Sequence, residues 1–153
     1  MKKLEDLNMN EVEVWSDGAC FGNPGPGGWA AILLEGKKEQ KLAGFEKFTT
    51  NNRMELTAVI CALKKIPLGY EVRIYSDSQY VTKGATIWMP KWRANNWRKS
   101  DNKEILNKDL WVQLDKLLSS LKHDFVWVKG HSGVNYNEMC NDLAQQQISK
   151  NTL

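Results

Sequence analysis

"TTNNRMELTAVICALKKI", residues 49–66, is where the chain changes its apolar period. From here Met54, Ala58 and Cys61 or Ala62, with Leu56, Val59, Ile60 and Leu63, recur at intervals of three and four and form a broad apolar helical face. Thr50 or Asn51 can cap its start, and Lys64 and Lys65 suit its end. Upstream, the period is two. "EVEVWSD" (11–17) sets Val12, Val14 and Ser16 on one side against Glu11, Glu13 and Trp15. "FGNPGPGG" (21–28) is dense in Gly and Pro and predicts a turn or loop. "WAAILLEG" and "KLAGFEKF", separated by "KKEQ", predict two strands in a hairpin.

Downstream, "YEVRIYSD" (70–77) predicts a strand and "SQYVTKGATIW" (78–88) a short helix. "KDLWVQLDKLLSSL" (108–121) is amphipathic, with Leu110, Trp111, Leu114, Leu117 and Leu118 on its apolar side. "DFVWVKG" (124–130) predicts a last strand and "NYNEMCNDLAQQQISK" (135–150) a last helix. This order of elements is that of a mixed α/β sheet with helices packed against it. The expected organisation is a loose leader over residues 1–10 and a single domain over 11–150.

The 153 residues are 42% apolar and 25% charged, ordinary values for a globular chain with a real core. No apolar run approaches a membrane span, and the charged start "MKKLEDLNMNEV" has no apolar stretch of a secretory signal. Cys20, Cys61 and Cys140 are scattered and odd in number, which suits a reducing cytoplasm rather than disulfides or a zinc site. The expected state is a cytoplasmic monomer that does not engage membranes.

Two predicted strands share an ending: "WSD" closes the first at Asp17 and "YSD" the fourth at Asp77. If those strands are parallel neighbours, the two acids converge at the sheet edge where α/β proteins place their sites. Asp at a strand end is also a good turn or capping residue. Glu55 aligns on its helix with Val59 and Ala62, at the border of the apolar side. A carboxylate there is costly unless paired, by Arg53 for example, or bound to a metal. Three converging acids repel one another, and hard oxygen donors without thiols or imidazoles point to Mg²⁺ or Mn²⁺. Two such ions about 3.5–4 Å apart bind both oxygens of an in-line phosphoryl displacement. His131, in "KGHSG" after the last strand, can shuttle a proton near neutrality or be plain surface.

In "NEMCNDLA" (137–144) an amide and an acid stand side by side. At 3.6 residues per turn, Cys140, Leu143, Ala144 and Ile148 share a face, Asn141 borders it, and Asp142 lies opposite with Gln145, Gln146 and Ser149. The position able to reach a site is therefore Asn141, an amide where a fourth carboxylate would complete the cluster. "WMPKWRANNWRK" (88–99) interleaves Lys91, Arg93, Arg98 and Lys99 with three tryptophans and contains no acid, which suits contact with phosphates. The alternative is a solvated helix with Trp88 or Trp92 turned inward.

"SDGACFGNPGPGGWAAIL", "TNNRMELTAVICAL", "YSDSQYV", "WVKGHSG" and "NEMCNDLA" resemble, in order and spacing, the motifs of the bacterial type 1 ribonuclease H family. The resemblance covers roughly residues 11–150. It implies a five-stranded mixed sheet with helices on both faces, and Mg²⁺-dependent cleavage of the RNA strand of RNA/DNA hybrids, with Mn²⁺ as substitute. Asp17, Glu55 and Asp77 match three metal-binding acids, and His131 matches a loop histidine that assists turnover. The family's last acid falls at Asn141, a departure that implies slowed cleavage. Cys20, Asn23, Asn52 and Gln79 would approach the hybrid's minor groove, where 2′-hydroxyls distinguish RNA from DNA. Thr50 and Asn51 resemble part of a DNA-phosphate pocket, and the basic stretch (about 88–101), with Lys91, Trp92, Arg93, Trp97, Arg98 and Lys99, a protrusion that straddles the DNA strand. The competing readings are a hybrid-binding module without catalysis and a nuclease of the same fold acting on DNA.

Overall fold

Alternation in the first strand decides which side of the sheet each residue serves. In the computed structural model, which describes residues 10–130, Gly133 and 135–152, β1 spans Glu11–Cys20. Val12 and Val14 enter one core and Trp15 and Ala19 the other, because successive strand residues point to opposite faces. β2 (Gly25–Glu35) and β3 (Lys38–Thr49) follow as antiparallel neighbours. β4 (Glu71–Ser76) lies parallel to β1, from Glu11 opposite Glu71 to Ser16 opposite Ser76. β5 (Lys122–Trp127) is parallel to β4. The order β3-β2-β1-β4-β5 makes the expected five-stranded mixed sheet.

Helix α1 (Asn51–Leu63) starts at Thr50, whose hydroxyl accepts from the Arg53 amide at 3.2 Å. Helix α2 (Gln79–Lys83) runs through a π-helical turn (Gly84–Trp88) into α3 (Met89–Ala94). Helix α4 covers Lys108–Leu118 and α5 Asn135–Asn151. Leu56, Val59 and Leu63 of α1, Val81, Met89, and Trp111 and Leu114 of α4 pack on Val12, Val14, Ala31, Leu33, Val72 and Ile74. On the opposite face α5 sets Cys140, Ala144 and Ile148 against Trp15, Ala30 and Ile32. Helices thus cover both faces. Among the described residues no helix is long and apolar enough to cross a membrane.

Several expected boundaries change: β1 runs past Asp17 to Cys20, held there by pairing with β2, and β5 ends at Trp127 rather than at 130. The Gly/Pro stretch is not loop to its end: β2 begins at Gly25, because Gly27 pairs with Cys20 and Gly28 with Phe45, holding the glycines extended between two strands. The helix expected over 78–88 continues to Ala94, since Pro90 falls in the first turn of α3, where its missing N–H has no partner to lose. The last helix before β5 ends at Leu118, and β5 starts at Lys122, whose amide reaches the Tyr70 carbonyl at 3.3 Å. Residues 1–9 of the expected leader lie outside the described residues.

Candidate active site

Parallel pairing of β1 and β4 ends in register at Ser16 and Ser76, so the next residues, Asp17 and Asp77, are brought side by side. Glu55 arrives from the second turn of α1 and is buried. One carboxylate oxygen from each of the three lies within 4.8 Å of the others. Gly18 permits this approach: a Cβ there would stand 2.4 Å from the Glu55 backbone nitrogen. Helix α5 closes the cluster from the other face. Asn141 Nδ2 donates to Asp17 Oδ2 at 3.0 Å, and Asn137 Nδ2 to Asp77 Oδ2 at 3.4 Å. Asp142 is exposed, as the helical-face reading requires.

Burial, reinforced by the Asp77 charge, pushes the Asp17 carboxyl up to about 6, against the opposing pull of the Asn141 and Gly18 hydrogen bonds. Burial first, then the Asp17 charge, raises Glu55 well above the ordinary carboxylate value. Glu55 Oε1 is buried without a hydrogen-bond partner. Orphaned carboxylate oxygen beside two further acids is the donor set of a hard divalent cation, which would satisfy the oxygen and cancel the repulsion. Arg53 does not neutralise Glu55. It turns away to Asp109 of α4 at 2.7 Å and to Asn107 Oδ1 at 3.2 Å, because residues two apart do not share a helix face.

Cys20, Asn23, Thr50, Asn51 and Asn52 come together around one cavity of about 460 Å³, joined by Leu106 and Asn107. Asn23 Oδ1 accepts the Asn51 amide at 2.9 Å and ties the Gly/Pro loop to the start of α1. Gln79 is exposed at the first position of α2. In the basic stretch Lys91, Trp92, Arg98 and Lys99 line a second concavity of about 360 Å³ with Asn95 and Ser100. Arg93 leaves it for Asp115 of α4, at 2.9 Å. Trp92 and Trp97 are half-buried, ring against ring at 6.2 Å, and pack on the core. His131 lies outside the described residues. Reading for acids missed Asn137 and Asn107; the signal for Asn137 was its place one helical turn before Asn141.

Fold and cluster together define an α/β protein with three carboxylates gathered where its central strands β1 and β4 cease to pair, a group that could hold a metal ion. The RNase H family model matches residues 9–149. A ribonuclease H of Ehrlichia canis (strain Jake) is 50% identical over 142 residues, 93% of this chain and 97% of that protein. One from Acetivibrio thermocellus is 48% identical over 145 residues, 94% and 99% of the two chains. LC9-RNase H1, described as a type 1 RNase H with the type 2 active-site motif, matches with a TM-score of 0.84 at 28% identity, over 94% of this chain and 74% of that one. LC11-RNase H1, solved in complex with RNA/DNA hybrid, shares the fold with a TM-score of 0.69 at 19% identity, over 91% and 97%. The chain belongs to the ribonuclease H family.

Proposed function

We propose that this chain is an endonuclease hydrolysing the RNA strand of RNA/DNA hybrids, with two Mg²⁺ ions, replaceable by Mn²⁺, held by Asp17, Glu55, Asp77 and Asn141. The observation that carries this reading is the buried, unpartnered Glu55 oxygen within the three-acid cluster. Bound there, divalent cations supply the charge that steadies the attacking and leaving oxygens of an in-line displacement. A water oxygen bonds to phosphorus as the bond to the leaving sugar oxygen breaks; the water loses a proton and the leaving oxygen gains one. His131, which follows Gly130 in the sequence, is assigned this proton traffic. Cys20, Asn23, Asn52 and Gln79 take the minor groove, and Thr50 and Asn51 a DNA phosphate, an assignment supported by the cavity that all but Gln79 line. Lys91, Arg98 and Lys99 meet the DNA backbone, while Trp92, Trp97 and the Arg93–Asp115 pair brace that platform.

Asn141 brings an amide where a carboxylate would add charge, and slows turnover. The three free thiols accord with a reducing cytoplasm, and the chain is assigned as a monomer. The test is cleavage of an end-labelled hybrid with Mg²⁺ or Mn²⁺ by this chain and by Asn141→Asp. The Asp form is expected to cut about ten-fold faster or more, and a 2′-deoxy substitution at the cut site to stop both. Equal rates would remove the role given to Asn141. Binding by both forms with cleavage by neither would favour a hybrid-binding module without catalysis, the second reading that the amide at 141 supports.

A further inference from the structure

Helix α5 presents not one amide to the acids but two, four residues apart on the same face. Asn141 donates to the acid on β1 just past its pairing with β4, and Asn137 to the acid that follows β4. The spacing of one helical turn sets the two donors against adjacent parallel strands. Asn137 is 3% exposed, the most buried polar residue of α5, so its side chain is held rather than sampled. Asp77 has a second close neighbour: a Cβ at Gly130 would stand 2.7 Å from Asp77 Oδ2. The same carboxylate oxygen is thus close to Gly130 and within reach of the Asn137 amide. The Asp77 main chain is fixed too, its carbonyl accepting from Trp127 Nε1 at 3.0 Å.

We propose that Asn137 is a positioning residue that fixes the carboxylate of Asp77 for cation binding, pairing with Asn141 so that α5 orients both acids by amide donors. The inference rests on the reading that the cluster holds a divalent cation. A donor in the shell behind a metal ligand sets which oxygen and which rotamer the ligand offers, and its loss typically costs 10–100-fold in metal affinity. The hydrogen bond to a carboxylate also favours its charged form, the one that binds a cation.

The experiment is calorimetric titration of the protein with Mn²⁺, in the parent, Asn137→Ala, Asn137→Leu and Glu55→Gln. Leu refills most of the space of the amide and donates nothing; Ala leaves the space empty. The parent is expected to bind Mn²⁺ and Glu55→Gln to lose binding. Both Asn137 variants are expected to bind about ten-fold or more weakly, while their affinity for an RNA/DNA hybrid in EDTA stays within about two-fold of the parent. Parental Mn²⁺ affinity in both variants, or weakened binding in Ala alone, overturns the proposal, the latter because packing would then suffice. If Leu does not fold, Ala decides by the same two readings: weaker Mn²⁺ binding with hybrid binding retained supports the role, and parental Mn²⁺ binding or joint loss of both overturns it. A parent that binds no Mn²⁺ overturns the metal reading and this inference together; a parent that binds while the variants match it overturns this inference alone.

Discussion

At Glu55 the fold buries an acid at a cost in stability. The residue is 5% exposed, and its carboxyl has one oxygen without a partner and stands beside two other acids. Replacing it by Gln removes a buried ionisable group at nearly constant shape. Glu55→Gln is therefore expected to stabilise the cation-free protein at neutral pH by about 1–3 kcal/mol, read from urea unfolding in EDTA. A variant less stable than the parent would mean that the carboxylate is compensated in a way these contacts do not show. Asp17 gives a pH dependence whose sign is fixed by its raised carboxyl. A group raised in the folded state binds protons there more tightly, so its contribution is fully present below the ordinary Asp value of 3.8 and is lost as pH rises through about 6. In EDTA, stability is expected to fall by on the order of 2–3 kcal/mol across that window, and Asp17→Asn to flatten the fall. Stability that rises with pH equally in both proteins would refute it.

At the scale of elements, the stretch from α2 to Arg98 separates two jobs that the sequence interleaves. Tyr80 accepts from Trp111 Nε1 and from Asn107 Nδ2, each at 3.0 Å, and Trp92 meets the Trp111 ring at 5.5 Å, so the aromatics bind α2 and α3 to α4. The cations ride on that base, where Asn95 Nδ2 bonds the carbonyls of Arg98 and Lys99 at 3.0 and 2.9 Å. Trp92→Ala is expected to cost about 3 kcal/mol of stability. Lys91→Ala, Arg98→Ala and Lys99→Ala combined should leave stability within about 0.5 kcal/mol per site. That triple variant should also reduce the slope of log affinity for the hybrid against log salt by about 2–3. An unchanged slope would take the basic concavity out of the interface. The division was not legible beforehand, because "WMPKWRANNWRK" states its charge but not which way its rings turn. The amphipathic runs of α1 and α4 were legible, since burial against a sheet leaves a period in the chain. The start of β2 was hidden by glycines that usually mark loops, and the length of α3 by Pro90. Asn141 could be read from its helix face. The bond between Arg53 and Asp109 spans 56 residues and leaves no local trace.

For the whole molecule, the site is the seam between its two cores. Asp17 lies on β1 and Asp77 just after β4, Glu55 comes from the layer on one face, and Asn137 and Asn141 come from α5 on the other. A cation bound among them joins both helical layers to the sheet, and unfolding scatters all of its ligands. Its binding free energy should therefore appear in global stability rather than in one loosened segment. By mass action, Mn²⁺ at about 100 times its dissociation constant adds about 2.7 kcal/mol. In a domain of this size that corresponds to a melting shift of about 5–10 °C. Scanning calorimetry of the parent with Mn²⁺ should show one transition displaced upward by that amount and returned by EDTA, while Glu55→Gln should show no displacement. A shift that persists in Glu55→Gln would place the stabilising ion away from the three acids. A transition that splits on adding Mn²⁺ would mean that the two layers unfold separately, and that the cation is held by one of them alone.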